Sequence, residues 1–420
     1  MKEESTMNHT EEMAGNGNFK KFMLLWAGEF ISSVGGGLTA FGLGVYVFAQ
    51  TGSAAGMALV TLISFLPTIL LAIPAGVLAD RFDRRLLMMI GDGCSGLGIL
   101  YILICMCSGG ASLWQICLGM GISSVFASLL EPSYRATITD LLTKEEFSKA
   151  NGLVSLAGSS RYLLSPIIAG FLLAISDVKL LLVIDIATFF LTVTAAAVVR
   201  KGLERKEIED KAPFFKSMKE GWQAVCAKEG LILLIMVSSL ITLFMGMFQI
   251  LAEPFVLSFA DSKTLGIVET VCASGMLVSG VFLGIRGIKK GYTKVLGGSL
   301  ALAGVFMILF GWTTMIVPIA IFGFLFFLVL PFANNSLDYL VRTNIPDELQ
   351  GRAWGFIGFL SQLGYVVAYG FGGLIADGLG AVTSGGVGRG AAITIQISGC
   401  CMAIVSIGIF MIKKIRRLEA

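Results

Sequence analysis

Residues Gly56–Cys107 read GMALVTLISFLPTILLAIPAGVL, ADRFDRR and LLMMIGDGCSGLGILYILICMC, which is an apolar run, a short charged stretch and a second apolar run. A helix needs about 20 apolar residues to cross the hydrocarbon core of a membrane, and each of these runs is long enough. Similar runs recur along almost the whole chain. The sequence therefore predicts a protein built from membrane-spanning helices.

The composition supports this interpretation. Of the 420 residues, 55% are hydrophobic and 14% are charged, which lies outside the usual range of soluble globular domains. We therefore expect an all-α membrane protein with twelve transmembrane helices. The predicted spans are Phe22–Gln50, Gly56–Leu78, Leu86–Cys107, Leu113–Leu130, Asn151–Ile175, Leu180–Val199, Leu231–Phe259, Thr264–Ile285, Val295–Trp312, Val317–Leu340, Ala353–Leu379 and Ala391–Ile412.

The distribution of Lys and Arg predicts the orientation, because short loops rich in these residues stay in the cytoplasm. With the N-terminus inside, all 31 Lys and Arg fall on inner segments except Lys179, Lys263, Arg389 and Arg161. The sequence thus predicts a multi-pass protein of a bacterial-type cytoplasmic membrane with both termini in the cytoplasm. The net charge of +3 reflects this topology rather than nucleic-acid binding.

A charged stretch, Arg200–Lys211, separates six predicted spans from six. The two halves also repeat each other, as Glu145, Lys149, Ala150 and Gly152 recur as Glu348, Arg352, Ala353 and Gly355. This pattern indicates two pseudo-symmetric six-helix bundles, as in transporters with parallel repeats. The expected domains are a cytoplasmic N-terminal tail (1–21), a first bundle (22–199), a cytoplasmic linker (200–228), a second bundle (229–412) and a cytoplasmic C-terminal tail (413–420).

The linker carries apolar residues at helical spacing opposite charged ones. The apolar residues are Phe214, Phe215, Met218, Trp222 and Val225. This spacing predicts an amphipathic helix on the inner leaflet, either as a connector that anchors the second half or as a regulatory element.

Patterns typical of enzymes and metal sites are missing from the sequence. Seven of the eight cysteines lie in or beside apolar spans, and no C-x-x-C pair occurs. The single histidine, His9, lies in the polar N-terminal segment. Neither a nucleophile elbow nor a phosphate-binding P-loop is present. We therefore expect no enzyme activity, no metal and no cofactor.

The segment Gly76–Arg85, with the sequence GVLADRFDRR, resembles the signature G-x-L-A-D-R-x-G-R-R/K of the major facilitator superfamily. Asp83 stands where the family usually has a second glycine. The resemblance implies the major facilitator fold and a gating latch made by Gly76, Asp80, Arg81, Arg84 and Arg85. In this latch Asp80 would lie at the positive N-terminal end of the eleventh span, near Arg352–Gly355. Arg84 would pair with Glu131 or Asp140 near the end of the fourth span. The alternative is that the arginines only enforce topology.

The fifth span is similar to the antiporter pattern G-x8-G-x3-G-P-x2-G-G of this superfamily. Gly152, Pro166 and Gly170 match the pattern, Ser165 and Ala169 are small substitutes, and Arg161 replaces a glycine. Small residues allow helices to approach closely, and proline allows the helix to bend. The resemblance implies a tight helix seal of the kind that an exporter needs.

Several other stretches resemble the macrolide-efflux branch of drug:proton antiporters. They are Leu25–Gly28, Thr51–Ala54, Phe65–Pro67, Met218–Gly221 and Gly351–Gly364. The resemblance implies a monomer that exports small amphipathic molecules such as macrolides, driven by the proton gradient without ATP. Its expected partners are the small-molecule substrate, the proton and the lipid bilayer. A proton-coupled importer and an exporter of siderophores or metabolites remain the alternatives.

Ionisable groups inside spans are functional candidates, because burying them in a membrane is unfavourable. In the resembled fold the first, fourth, seventh and tenth spans line the cavity, so Glu29, Glu131, Glu253 and Asp338 rank above Asp92 and Asp185. We interpret the last two as structural hydrogen-bonding groups. The candidates for proton coupling or the substrate cavity are Glu29, Arg161, Glu131, Asn334, Asn335 and Asp338.

Two of these candidate groups have more than one interpretation. Glu29 lies about 10 Å into the first span at 1.5 Å per residue, and it either handles a proton with Arg161 as the buried cation or is a hydrogen-bonded polar residue. Asn334, Asn335 and Asp338 form a polar stripe with Arg342. This stripe either lines the inner gate or marks the place where the helix leaves the membrane.

Overall fold

The computed structural model describes the backbone of residues 2–143, 146–200, 223, 229–345 and 347–419. Within these ranges it describes the side chains except those of residues 2–17, 73, 80, 148, 229 and 347–356. The predicted amphipathic helix around residues 214–225 lies outside the described residues, so it stays a prediction.

The described residues form α-helices and contain no strand. The helices are α1 (Lys2–Thr51), α2 (Ala54–Leu70), α3 (Ala72–Arg81), α4 (Arg84–Cys107), α5 (Leu113–Ala127), α6 (Leu130–Leu141), α7 (Phe147–Leu163), α8 (Ser165–Ile175), α9 (Val178–Arg200), α10 (Glu229–Leu257), α11 (Ser262–Arg286), α12 (Tyr292–Phe310), α13 (Ile316–Arg342), α14 (Asp347–Val382), α15 (Gly386–Met411) and α16 (Lys413–Arg416).

Eleven helical segments of the described chain are long and apolar enough to cross a membrane. A twelfth apolar helix, α2, is shorter and leads into α3. The predicted all-α membrane architecture is therefore confirmed. One difference concerns the fourth span, because hydropathy predicts its end at Leu130, whereas the helix resumes as α6 and continues to Leu141. Charged residues lower the hydropathy of α6, yet Tyr134, Ile138 and Leu141 bury one face of it.

Three spans of the first half are interrupted at or just before a proline. The α2–α3 break falls at Leu71, the α5–α6 break at Ser128 and Leu129, and the α7–α8 break at Leu164. Pro74, Pro132 and Pro166 follow in the first turn of the next helix, where the missing N–H costs no intrahelical hydrogen bond. Three other prolines, Pro67, Pro254 and Pro331, lie inside continuous helices.

The described chain divides into two compact units. The first comprises the described parts of Met1–Leu43 and Ile63–Glu209. One buried cluster of this unit joins α1, α4, α6, α7 and α9 around Phe22, Met88 and Tyr134. Inside this unit α4 and α5 meet at Gly98 and Gly119, where a Cβ on either residue would collide with the backbone of the other helix. Glycines of this kind allow membrane helices to pack closely.

The second unit comprises Gly44–Leu62 and the described part of Asp210–Ala420. Helix α12 packs against α13 and α15, and α10 packs against α14. Gly304 and Gly399 bring α12 and α15 together, since a Cβ on Gly304 would lie 2.5 Å from the Gly399 carbonyl oxygen. Near the C-terminus Glu419 accepts hydrogen bonds from the backbone N–H groups of Tyr292 (2.7 Å) and Thr293 (3.0 Å), so it caps α12. The domain boundaries expected from the sequence stay a prediction.

Candidate functional site

The first unit contains a buried carboxyl group that links α1 to α9. Thr39 donates a 2.6 Å hydrogen bond to Asp185 Oδ2, and Asp185 is 1% exposed. The other oxygen, Oδ1, is buried and has no hydrogen-bond partner among the described residues. A Cβ at Gly35 would lie 2.8 Å from that oxygen, so glycine at this position makes room for the carboxyl group.

Two further acids belong to the same unit. Glu29 Oε1 accepts a long hydrogen bond from Ser33 (3.4 Å), and Glu29 Oε2 is buried without a partner in the described part of the chain. Asp92 on α4 is 3% exposed and interacts electrostatically with Glu29 and Asp185. Helices α1, α4 and α9 therefore direct three carboxyl groups into the interior of one bundle.

Arg161 is the cation that acts on this group of acids. Its charge interacts with Glu29 and with Asp185. Arg161 is exposed, so the other described helices do not enclose it, and its expected depth in the fifth span stays a prediction. Nearby buried residues on α7 and α8 are small, as Ala157, Ser160 and Ser165 show.

The remaining cavity candidates are all exposed. The Glu131 side chain is 74% exposed and forms a 2.9 Å ion pair with Arg135, although its charge also acts on Glu29. In the second unit Asn334, Asn335 and Asp338 lie exposed on α13. Of the predicted cavity residues, Glu29 therefore lies with the buried acids Asp92 and Asp185 of the first unit, and the charge of Arg161 acts on Glu29 and Asp185. The α13 stripe belongs to the second unit.

The antiporter-like helix packs closely only in its second half. Ser165 is fully buried, donates a 2.9 Å hydrogen bond to the Val34 carbonyl oxygen and occupies the space beside Gly37. Pro166 and Gly170 are also buried. Gly152 is exposed, and no described atom lies within 4 Å of a Cβ placed on it. A seal between α1 and α8 therefore has a structural basis at Ser165 but none at Gly152.

The α3–α4 loop is fixed to α6 by Arg84. Its Nη1 forms a 2.7 Å ion pair with Asp140 and donates to the Ala136 carbonyl oxygen (3.1 Å), while Nε donates to the Ala79 carbonyl oxygen (3.3 Å). The predicted pairing of Arg84 with an acid near the end of the fourth span is therefore observed with Asp140 and not with Glu131. Whether the pair gates transport stays a prediction.

Asp83, which departs from the signature, caps α4. Its Oδ1 accepts from the backbone N–H groups of Arg85 (3.0 Å) and Leu86 (3.4 Å), and its Oδ2 accepts from Arg200 Nε (2.7 Å). Partial burial acts to raise the pKa of Asp83, but these hydrogen bonds and the Arg200 charge outweigh it and hold the pKa below its usual value. Where the family usually has a flexible glycine, this aspartate therefore links the start of α4 to Arg200 of α9.

The other members of the predicted latch are only partly described. Arg85 is 7% exposed, whereas Arg81 is exposed and a Cβ at Gly76 would meet no described atom within 4 Å. The Asp80 side chain lies outside the described residues, as do the side chains of its expected partners at 352–355.

Comparison with known proteins identifies the family. Residues 25–369 match the Major Facilitator Superfamily. The chain belongs to this superfamily. It is therefore a multi-pass membrane transporter of small molecules, with the twelve-helix fold of the family, and not an enzyme. A solved structure, that of the POT family transporter PepTSo, superimposes with a TM-score of 0.75 at 12% identity, covering 95% of this chain and 98% of that one.

Two curated members of the superfamily match along almost their whole length. Macrolide efflux protein A of Streptococcus pyogenes is 24% identical over 95% of this chain and 97% of its own. The enterobactin exporter EntS of Salmonella choleraesuis (strain SC-B67) is 23% identical over 93% of this chain and 91% of its own. The resemblance to the macrolide-efflux branch is thus confirmed.

The sequence interpretation ranked Glu253 among the acids of the cavity-lining spans, but it missed Glu269, the acid that interacts with it. Glu253 on α10 and Glu269 on α11 are half-buried in the second unit and interact with each other. A Cβ at Gly44 would lie 2.7 Å from Glu253 Oε2. Glu269 is the single acid in the apolar run of the eighth span, and that position was the available signal.

Proposed function

We propose that this transporter exports small amphipathic compounds, such as macrolides, in exchange for protons by alternating access. It would work as a monomer in a bacterial-type cytoplasmic membrane with both termini in the cytoplasm. Similarity to the macrolide efflux protein over nearly the full length of both chains supports the direction and the substrate class. The Lys and Arg distribution supports the orientation.

The buried carboxyl groups of the first unit carry the proposal of proton coupling. Asp185 and Glu29 each hold one buried oxygen without a partner in the described chain. An ionised carboxylate inside a membrane bundle is unfavourable unless it is paired, and binding a proton removes the charge and supplies a donor. A carboxyl group in this environment is therefore suited to bind and release a proton as its access to water changes.

Arg161 would couple the proton to the substrate. While Glu29 and Asp185 are ionised, the Arg161 guanidinium is attracted to both. Protonation of either acid weakens that attraction, so the exposed guanidinium becomes free to move or to face the substrate. In the same scheme the α3–α4 loop, held by the Arg84–Asp140 pair, would carry Asp80 as the gating latch.

The test uses purified protein in proteoliposomes with an imposed pH gradient and a labelled macrolide. The variants are Glu29→Gln and Asp185→Asn, and the matched control is Asp177→Asn, in the turn between α8 and α9, whose side chain is 59% exposed. The proposal expects the control to transport normally. It expects at least one of the two buried variants to bind the macrolide without pH dependence and to lose gradient-driven transport.

Three results would count against the proposal. Transport by both buried-acid variants at the wild-type rate, with unchanged pH dependence of binding, would reject Glu29 and Asp185 as the proton sites. Movement of the macrolide in the same direction as the protons would favour a proton-coupled importer. Transport unaffected by the pH gradient would remove proton coupling.

Similarity to an enterobactin exporter favours a second candidate substrate, a siderophore. The same vesicles distinguish the two, because a siderophore exporter would transport the labelled siderophore and leave the macrolide behind.

A further inference from the structure

The short turn between α1 and α2 belongs to the second unit and contacts α14. Helix α1 ends at Thr51, and the next residue, Gly52, has a left-handed backbone (φ +60°) and donates from its N–H to the Phe48 carbonyl oxygen (2.8 Å). Ser53 follows, and its Oγ accepts from the Gly56 N–H (3.1 Å). The stretch Thr51–Ala54, one of those that resemble the macrolide-efflux branch, is therefore the turn that starts α2.

Asp377 of α14 completes the cap of α2. Its Oδ1 accepts from the Ala54 N–H (2.9 Å), and its Oδ2 accepts from the Ala55 N–H (3.0 Å) and from the Ser53 hydroxyl (2.5 Å). The first three N–H groups of α2 are thus satisfied, two of them by one carboxylate from a distant part of the chain. A negative charge at this position also interacts favourably with the helix dipole.

Gly373, one turn before Asp377, allows the backbones to touch. A Cβ on Gly373 would lie 2.6 Å from the Ala54 carbonyl oxygen and 2.6 Å from Ala55 Cα. No larger residue fits without moving the turn away from α14. Capping by Asp377 and close approach at Gly373 therefore depend on each other.

The sequence Gly373-Leu374-Ile375-Ala376-Asp377 has the same pattern as Gly76-Val77-Leu78-Ala79-Asp80 in the superfamily signature. The first copy ends one residue before the end of α3, and the second lies five residues before the end of α14. Both copies end in an aspartate near a helix C-terminus. In the second copy that aspartate binds the N-terminus of another helix, which is the role that the signature implies for Asp80.

We propose that Asp377 is a second gating residue, which holds the α1–α2 turn on α14 in one state of the transport cycle and releases it in another. This proposal rests on alternating access as the proposed mode of transport. The hydrogen bonds of Asp377 can break reversibly. Asp377 and Ser53 are only half-buried, so water can replace each bond when the turn separates from α14. The whole α1–α2 turn would then separate from α14.

The test measures how often the turn opens. Met57 lies in the first turn after the cap and is 3% exposed, so Met57→Cys in a cysteine-free version of the full chain reports opening. The protein is held in nanodiscs and labelled with a membrane-impermeant maleimide. We expect Asp377→Asn to raise the labelling rate about tenfold, the effect of losing roughly one hydrogen bond to a charged group. Ser53→Ala should give a smaller rise.

The control is Asp261→Asn, which removes another capping aspartate. Asp261 accepts from the Thr264 N–H (2.9 Å) and so caps the start of α11 rather than the start of α2. The labelling rate of the Asp261→Asn variant should equal that of the Met57→Cys protein without it. If Asp377→Asn does not fold, Gly373→Ala is the second variant, and it should raise the rate by pushing the turn away.

An unchanged labelling rate in both Asp377→Asn and Ser53→Ala would overturn the proposal, as would a lower melting temperature without faster labelling. The assay needs neither a substrate nor a proton gradient. Faster labelling in a protein that does not export macrolides would therefore support the gate and reject only the proposed function.

Discussion

Helix α6 carries two ion pairs in very different surroundings, which allows a controlled prediction. Arg84 and Asp140 are 27% and 18% exposed and join different helices, whereas Arg135 and Glu131 are 67% and 74% exposed and lie four residues apart. A charge-assisted hydrogen bond in partly buried surroundings contributes about 1.5–3 kcal/mol. An exposed pair within one helix contributes about 0.3–0.5 kcal/mol.

The structure also sets an upper limit on the destabilisation that Asp140→Asn can cause. Breaking a fully buried pair costs about 3–5 kcal/mol because one charge stays without a partner. After Asp140→Asn, however, Arg84 keeps the carbonyl oxygens of Ala79 and Ala136 as acceptors. We therefore expect a destabilisation of about 1.5–3 kcal/mol from Asp140→Asn and below about 0.5 kcal/mol from Glu131→Gln.

The assay is reversible unfolding in mixed micelles with increasing SDS, applied to two double-mutant cycles. One cycle combines Arg84→Gln with Asp140→Asn, and the other combines Arg135→Gln with Glu131→Gln. The coupling free energy of the first pair should exceed that of the second by about 1 kcal/mol or more. Equal coupling energies would refute the view that Arg84 fixes the α3–α4 loop to α6.

Two further predictions concern stability. Because the pKa of Asp83 is held below its usual value, its stabilisation is fully present above the unfolded pKa of about 3.9 and is lost as the pH falls through the lower folded pKa. Thermal unfolding should therefore show Asp83→Asn destabilised by a constant amount from pH 5 to 8, with the difference shrinking below about pH 4; a difference that grows on acidification would contradict this sign. In α15, a Cβ on Gly390 would collide with the Ala376 carbonyl oxygen, whereas one on Gly408 meets no described atom within 4 Å. Gly390→Ala should cost about 1–3 kcal/mol, and Gly408→Ala should be neutral or stabilising by up to about 1 kcal/mol, as measured by the same micelle titration.

Hydropathy predicted the fold well because each span must satisfy its own backbone hydrogen bonds and expose apolar side chains to lipid. Hydropathy failed for α6. The charged residues of this helix lower its mean hydropathy, and its apolar face is recognised only from its packing against α4. Hydropathy also could not predict the helix breaks. Pro166 follows a break and Pro331 lies inside a continuous helix, so a proline in the sequence does not by itself predict a break.

The candidate site was only partly predictable. The signature predicted that Arg84 would pair near the end of the fourth span, but two acids were available and only the structure selects Asp140. Ranking acids by span placed Glu131 above Asp185, whereas the structure buries Asp185 and exposes Glu131. Burial depends on which face of a helix meets its neighbours, and a single sequence of apolar helices contains little information about that face.

Export driven by the proton gradient is the central claim, and accumulation of a labelled macrolide in intact cells tests it most directly. Cells that produce the protein and cells that lack it are loaded with the compound, and each is measured with and without a protonophore while ATP is kept high. The account predicts lower accumulation only in cells that produce the protein, and it predicts that the protonophore removes this difference. Equal accumulation in both kinds of cell, or export that survives the protonophore, would contradict it.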